Sequence, residues 1–246
     1  MNITNNTILI TGGGSGIGLE IAKALSPSNK IIIVGRNTDK LDKAAKDLEN
    51  VFTFQADITN ESDINNLYEE IKTTFGGINI LINNAGNAYV YDIANDGDIY
   101  SKAVAEFTTN YFAPLRLTDK FLPLLKQQKE AAIVNVSSIV AFVPGSHLPT
   151  YSDSKAALHS HTKLLRFELA KNTNIKVFEL MPPLVNTDFS AEIGGKENGI
   201  PASDVANDLV KALQEDIYEI HVGRTELLYK NFFAGTEGAI TIMNAQ

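Results

Sequence analysis

Cysteine and tryptophan are absent from this sequence of 246 residues. The lack of cysteine excludes disulfide bonds, thiolate metal sites and cysteine nucleophiles. Basic residues are few: 21 Lys and Arg against 29 Asp and Glu give a formal net charge of −8, which argues against partners such as nucleic acid or an anionic membrane. No apolar run approaches the ~20 residues that span a bilayer. The first residues also lack the basic segment of a signal peptide. We therefore expect a soluble, cytoplasmic protein whose residues 1–246 form one domain.

Short apolar runs rich in Ile and Val alternate with segments of helical periodicity. The runs lack strict alternation, which is typical of strands buried on both faces of a parallel sheet. Because parallel neighbours need crossover helices, the pattern predicts an α/β fold with a doubly wound, mainly parallel sheet of seven strands and helices on both faces. The predicted strands are 7–11, 30–34, 51–55, 79–82, 131–136, 175–180 and 218–221.

Helical patterns fill the intervals between these strands. One follows Thr38 as a candidate N-cap, another follows Asn60, and two long ones cover about 100–126 and 151–171. Segment 186–201 differs in composition, because it contains three glycines. It is interpreted either as a surface loop or as a substrate lid, since long loops in compact α/β domains are often functional.

A glycine-rich turn follows the first predicted strand and opens a helix pattern. Glycine tolerates positive φ and lets the backbone approach a ligand, and a helix N-terminus presents free N–H groups to a pyrophosphate. The glycine spacing differs from G-x-G-x-x-G, and the P-loop and nucleophile-elbow patterns are not met. A tight turn without a ligand is the alternative. The predicted cofactor contacts here are Thr11, Gly12, Gly14, Ser15, Gly16, Ile17 and Gly18.

The residues at the end of the second strand should determine the choice of cofactor. An acidic residue there holds the ribose of NAD, whereas Arg accommodates the 2′-phosphate of NADP. Gly35 occupies the acidic position and Arg36 follows, so NADP(H) is favoured, with NAD(H) as the alternative because Asp39 is near. Asp57, followed by Ile58, could accept a hydrogen bond from the adenine amino group, or it could simply cap a turn.

Tyr151 and Lys155 are four residues apart in a helical pattern and therefore share a face. A nearby ammonium group lowers the pKa of a phenol, so that the pair can exchange a proton with a carbonyl or an alcohol. Ser138 stands at the end of the fifth predicted strand, where an open α/β sheet places its ligand site. No pair of the four histidines has metal-ligand spacing, so no metal site is predicted.

Taken together, these motifs resemble the compact single-domain form of the short-chain dehydrogenase/reductase family, whose fold is Rossmann-type. The resemblance extends from residue 7 to about 218. The residues that carry it, in chain order, are Thr11, Gly12, Gly16, Gly18, Asn83, Asn84, Ala85, Gly86, Asn110, Ser138, Tyr151 and Lys155.

The resemblance implies a role for each of these residues. Tyr151 is the proton donor, Lys155 binds the nicotinamide ribose and lowers the pKa of Tyr151, and Ser138 polarises the substrate carbonyl. The main-chain carbonyl of Asn110 holds a water in the proton relay. Further residues are implied to lie along the cofactor: Asn84, Ala85, Gly86, Pro182, Val185 and Thr187.

One position departs from the family pattern, because Pro183 occupies a slot that is usually Gly. The sequence Met-Pro-Pro-Leu-Val-Asn-Thr at 181–187, which contains Pro183, resembles that of the DltE-like subgroup of bacterial oxidoreductases. The family geometry implies a substrate pocket near Tyr89, Tyr91, Val140, His147, Leu184 and Phe189, and assembly as a homodimer or homotetramer.

Two functions are weighed. The first is an NADP(H)-dependent reductase or dehydrogenase that acts on a small to medium carbonyl or secondary alcohol. The alternative is a non-catalytic NADP(H)-binding sensor or interaction protein on the same fold. The intact Ser, Tyr and Lys set favours the enzyme, since a sensor has no need of it.

Overall fold

The computed structural model describes residues 1–235 and shows all seven predicted strands in a single sheet. Three of them have the predicted bounds, and the others differ by one residue at an end or are shifted by one. A separate two-stranded pair lies outside this sheet. The strands are β1 (Thr7–Thr11), β2 (Lys30–Gly35), β3 (Val51–Gln55), β4 (Ile80–Asn83), β5 (Ala131–Val136), β6 (Ile175–Met181), β7 (Val185–Asn186), β8 (Ile200–Pro201) and β9 (Glu219–His221).

The helices lie between the strands, as the doubly wound pattern requires. They are α1 (Gly16–Leu25), α2 (Thr38–Ala45), α3 (Glu61–Glu70), α4 (Ile99–Phe107), α5 (Ala113–Leu125), α6 (Pro149–Asn172), α7 (Gly195–Asn198), α8 (Ala202–Glu215) and α9 (Thr225–Ala234). In the described residues, no helix is both long and apolar enough to cross a membrane.

All neighbouring strands of the main sheet are parallel, in the order β3-β2-β1-β4-β5-β6-β9. This confirms the predicted doubly wound, Rossmann-type α/β fold. The strand order reverses between β1 and β4. In open α/β sheets, ligands bind at such a switch point, outside the carboxyl ends of the strands.

Alternate residues of the apolar strands pack into two cores on opposite faces. Ile8 and Ile10 pack with side chains of α1 and α8, whereas Leu9 packs with side chains of α3 and α5. This two-sided burial explains the unbroken apolar run in β1. β3 is an exception, because it is an edge strand and its Phe52 is 43 % exposed; the prediction of burial on both faces is wrong there.

Two helix starts test the predicted caps. Asn60 caps α3, because its side chain accepts hydrogen bonds from the next turn. For α2 the predicted cap, Thr38, is wrong by one residue. Asn37 is the cap, since its Oδ1 accepts the Lys40 N–H at 2.9 Å.

The long helical pattern of 100–126 is interrupted by a π-helical turn, Thr108–Phe112, which separates α4 from α5. Single π turns inside helices are frequent at functional sites. Segment 186–201 is also folded locally: a 3₁₀ turn, Asp188–Ile193, and the short α7 lie between β7 and β8. Segment 186–201 therefore has local structure of its own, and its interpretation as a surface loop or a substrate lid stays a prediction.

Candidate active site

An open cleft of about 1150 Å³ follows the carboxyl ends of β1 to β6. It begins at the glycine-rich turn after β1 and extends to Tyr151 on α6. Most of the predicted site residues line it together. They are Gly12, Gly14, Ser15, Gly16, Ile17, Arg36, Asp57, Ile58, Asn84, Ala85, Gly86, Ser138, Tyr151, Lys155, Pro182, Val185 and Thr187, with the predicted substrate contacts Tyr89, Val140, His147, Leu184 and Phe189.

The turn after β1 has the geometry of an anion site. Gly12 and Gly16 have φ of +67° and +54°, a region that favours glycine. Ser15 is the N-cap of α1, but its side chain makes no capping hydrogen bond. The first N–H groups of α1 therefore lack a side-chain cap at the cleft wall, an arrangement that suits a pyrophosphate.

Three of the predicted cofactor and catalytic residues, Thr11, Gly18 and Asn110, do not line the cleft. The Thr11 hydroxyl accepts hydrogen bonds from the backbone N–H groups of Asn84 and Ala85, at 3.0 and 3.1 Å, and so joins β1 to the segment after β4. Gly18 packs closely: a Cβ there would lie 2.5 Å from the Gly12 carbonyl oxygen. Thr11 and Gly18 thus stabilise the glycine-rich turn on the side that faces away from the cleft.

The end of the cleft that lies away from Tyr151 carries positive charge, beside Asp57. Arg36 is exposed at the end of β2 and lines the cleft together with Lys40, which the sequence analysis missed. Burial disfavours the charged form of Asp57, but hydrogen bonds from Thr59 and the nearby Arg36 guanidinium outweigh it and lower its pKa. Lys40 could have been found from its position just after Arg36, in the first turn of α2.

Ser138, Tyr151 and Lys155 come together at the other end. Ser138 lies two residues beyond the end of β5, and Tyr151 lies in the first turn of α6. The Lys155 Nζ donates a hydrogen bond of 2.8 Å to the Val136 carbonyl oxygen. It lies 5.6 Å from the centre of the Tyr151 ring. These three side chains therefore form one buried polar group at the cleft wall.

Burial dominates the ionisation of this group. It raises the pKa of the Tyr151 phenol; hydrogen bonding with Ser138 opposes the rise, and the charge of Glu106 adds to it. Burial also lowers the pKa of Lys155 to about 8, although Glu179 opposes this. Loss of hydration is the largest cause of the raised Tyr151 pKa in the protein alone, and the expected lowering of that pKa by Lys155 stays a prediction.

Asn110 lies in the π turn between α4 and α5 and is fully buried. Its side chain bonds both backbone groups of Asn87: Oδ1 accepts the N–H at 2.7 Å and Nδ2 donates to the carbonyl at 2.8 Å. Nδ2 also donates to Ser154, whose hydroxyl donates to the Tyr151 carbonyl. The side chain of Asn110 therefore links the segment after β4 to α6.

A buried carboxylate near Lys155, Glu179 in β6, was not predicted from the sequence. Its side chain is fully buried and accepts hydrogen bonds from Ser137, at 2.5 Å, and from His159, at 2.9 Å. A lone Glu inside an apolar strand was the available signal. Its negative charge stabilises the ammonium form of Lys155.

Apolar side chains dominate the predicted substrate end. Phe189 is 54 % exposed, and its ring centre lies 6.1 Å from that of Tyr151. Val140 and Leu184 line the same wall, and His147 is exposed at its rim. Tyr91, by contrast, is buried behind the lining and does not reach the cleft. Arg224, which follows β9, also lines the cleft and was missed.

Comparison with known proteins agrees with this architecture. The family model for short chain dehydrogenases matches residues 6–198. An uncharacterised oxidoreductase of Bacillus subtilis, DltE, is 37 % identical over all of this chain and 99 % of its own length. One from Staphylococcus saprophyticus is 31 % identical over 87 % of this chain and 94 % of its own. A crystal structure of a short-chain dehydrogenase from Burkholderia cenocepacia in complex with NADP is 26 % identical, with a TM-score of 0.87 and full coverage of both chains.

Proposed function

The chain belongs to the short-chain dehydrogenase family, and on that premise we propose that it is an NADP(H)-dependent oxidoreductase for a carbonyl or secondary alcohol. One observation carries the proposal. Ser138, Tyr151 and Lys155 line the same cleft as the uncapped N-terminus of α1. A proton-exchanging group and an anion site at the two ends of one cleft suit a nicotinamide dinucleotide and its substrate.

The residues along the cleft fit such a cofactor. The turn from Gly12 to Ile17 would hold the pyrophosphate, and the segment Asn84 to Gly86 would lie along the nucleoside path. Val185 and Thr187, which line the cleft, would hold the nicotinamide carboxamide. The bound nicotinamide supplies the hydride chemistry, and the protein supplies orientation and electrostatics.

The preference for NADP(H) rests on charge. Gly35 leaves no carboxylate at the end of β2 to bind ribose hydroxyl groups, while Arg36 and Lys40 both line that end of the cleft. A guanidinium group binds phosphate oxygens in pairs. The relative bound to NADP is consistent with this choice, although another solved relative, from Burkholderia phymatum, is bound to NAD.

Tyr151 would serve as the general acid in reduction. Its raised pKa keeps the phenol protonated at neutral pH, as a donor to a carbonyl oxygen must be. Ser138, which is hydrogen-bonded to the phenol in the protein alone, would donate to the same carbonyl oxygen. The ammonium group of Lys155 would stabilise the phenolate that remains, and Asn110 would connect Lys155 to solvent through its main-chain carbonyl.

The substrate would be small to medium in size and largely apolar. Val140, Leu184 and Phe189 line its end of the cleft, and Phe189 belongs to segment 186–201. We propose that this segment is a lid, because it packs beside Tyr151 and leaves Phe189 half exposed. The lid and the nucleotide-binding part would form one functional domain.

An apolar face on α4 and α6 fits a second copy of this chain. Tyr100 on α4 and Phe167 on α6 are 82 % and 63 % exposed, and Phe112 and Leu164 are also exposed. The π turn and α6 are in contact through the rings of Tyr111 and His161. Large exposed apolar patches mark interfaces, so we propose a homodimer or homotetramer built on this face.

Turnover of the reduced cofactor tests the proposal directly. Purified protein is screened with NADPH and NADH against a diverse set of carbonyl compounds by loss of absorbance. Tyr151→Phe is expected to abolish turnover and to leave NADPH binding, measured by fluorescence titration, unchanged. Tyr68→Phe, which removes a phenol hydroxyl on α3 at a residue that does not line the cleft, is the matched control. Tight NADPH binding with no turnover on any compound would favour the non-catalytic sensor instead.

A further inference from the structure

Glu106 is a buried carboxyl group whose only part in the chemistry above is the effect of its charge on the pKa of Tyr151. It lies on α4, fully shielded from solvent. Its Oε1 accepts a hydrogen bond of 2.8 Å from the backbone N–H of Tyr89, and its Oε2 accepts one from the Thr150 hydroxyl. Tyr89 lines the substrate end of the cleft, and Thr150 directly precedes Tyr151. The carboxyl group therefore joins the two sides of the substrate site.

Glu106 is the middle member of a row on one face of α4 and the π turn. Lys102, Glu106 and Asn110 follow each other at four-residue spacing, which places them on one side of a helix. The Nζ of Lys102 lies 4.4 Å from the Tyr91 ring centre, and Asn110 bonds both backbone groups of Asn87. The row thus fastens the segment after β4 at three successive points.

That segment needs such side-chain partners. Residues 84–98 contain no helix or strand, so their buried backbone groups must be satisfied from elsewhere. The Tyr91 hydroxyl lies 2.7 Å from Thr150 Oγ1, which closes a chain of hydrogen bonds from Tyr91 through Thr150 and Glu106 to Tyr89. Tyr91 is itself buried, so this chain is shielded from water.

We propose that Glu106 is a positioning residue, which sets the distance between the Tyr89 wall of the substrate pocket and the helix that carries Tyr151. The inference rests on the proposed function, because the wall matters to catalysis only where a substrate binds. Because the backbone of Tyr89 and the hydroxyl of Thr150 both donate hydrogen bonds to one rigid carboxyl group, the pocket wall and α6 keep a fixed distance. The loss of wall contacts that bind the ground state and the transition state equally raises KM and leaves kcat unchanged.

Two substitutions separate the hydrogen bonds from the charge. Glu106→Leu removes both bonds, whereas Glu106→Gln keeps an acceptor for the Tyr89 N–H and a polar group for Thr150. In the cofactor-free protein we expect hydrogen exchange of the Tyr89 amide to be about tenfold faster or more in Glu106→Leu. In Glu106→Gln it should stay within about twofold of the wild type.

The kinetic readout distinguishes positioning from simple stability. We expect Glu106→Leu to raise the substrate KM by about fivefold or more, with kcat and the NADPH Kd within about twofold. Glu106→Gln should restore the KM. A KM unchanged despite faster exchange would overturn the proposal, because the bonds would then be structural only. Equal effects of Leu and Gln would also overturn it.

A second pair of variants covers the case in which Glu106→Leu fails to fold. Thr150→Val should also raise the Tyr89 exchange rate and the substrate KM, but by less than Glu106→Leu does. Thr150→Ser, which keeps the hydroxyl, should leave both at the wild-type values. Thr108→Val is the matched control, because within residues 1–235 the Thr108 hydroxyl bonds only to the Val104 carbonyl, one helical turn earlier. Absence of turnover in the wild type would refute the proposed function. The exchange of Tyr89 would still decide whether Glu106 holds this wall.

Discussion

Replacement of Arg36 by Ala should change the choice between the two nicotinamide cofactors. Arg36 is exposed at the end of β2 and lines the cleft, and its guanidinium is close enough to Asp57 to lower the pKa of that carboxyl group. Only NADP(H) carries a 2′-phosphate for it to bind. The loss should therefore fall on NADPH and leave NADH almost unchanged.

The magnitude follows from the exposure and from the neighbours. A hydrogen bond to a charged group contributes about 1.5–3 kcal/mol. Because Arg36 is exposed and Lys40 still lines the cleft in the variant, the lower value applies. About 1.5 kcal/mol corresponds to roughly a tenfold increase in the Kd for NADPH. For NADH, which has no 2′-phosphate, the change should stay within about twofold.

Fluorescence titration of the purified protein with each cofactor measures both constants. The matched control is Lys43→Ala, which removes a positive charge from α2 at a residue that does not line the cleft. Raising the salt concentration should reduce the difference between wild type and Arg36→Ala, since exposed charges are screened. Equal losses for NADPH and NADH, or an equal loss in the control, would refute the phosphate role of Arg36.

Three further changes test the turn, the buried amine and the lid. Gly18→Ala places a Cβ 2.5 Å from the Gly12 carbonyl oxygen and should lower the free energy of unfolding in urea by about 1–3 kcal/mol; Gly97→Ala, which meets nothing within 4 Å, should not. Lys155→Met should raise the free energy of unfolding by up to about 3 kcal/mol below pH 8, because burial lowers the pKa of Lys155 from 10.5 to about 8. That gain should shrink as the pH rises towards 10.5, where the unfolded chain also loses the proton, and a gain independent of pH would contradict this cause. Amide exchange in segment 186–201 should slow when NADPH and substrate are added, and unchanged exchange would refute the lid.

The sequence predicts the main sheet well because each strand carries its own signal. Ile and Val fill both faces of a strand such as β1, and the crossover rule then fixes the parallel order. The residues at the cleft follow for the same reason, since strand ends of a parallel sheet meet at one edge. Thus Ser138, just beyond the end of β5, could be placed near Tyr151 from the sequence alone.

The features that escaped prediction depend on contacts between distant parts of the chain. Glu106 looks like an ordinary solvated acid on a helix until Tyr89 and Thr150 enclose it. Glu179 is conspicuous in an apolar strand, but its partner His159 is on another element. The small β7–β8 pair joins residues on either side of a glycine-rich segment, whose composition alone predicts a loop.

Burial of Tyr151 and Lys155 sets the protonation state from which the proposed proton transfer would start. Burial moves the two pKa values in opposite directions, because it penalises a phenolate and an ammonium group alike. The protein alone therefore presents a protonated phenol, which is the form that carbonyl reduction requires. Alcohol oxidation needs the phenolate, and Lys155 Nζ is bonded to the Val136 carbonyl rather than to the phenol. Under the proposed mechanism, alcohol oxidation would therefore need a further contact that stabilises the Tyr151 phenolate.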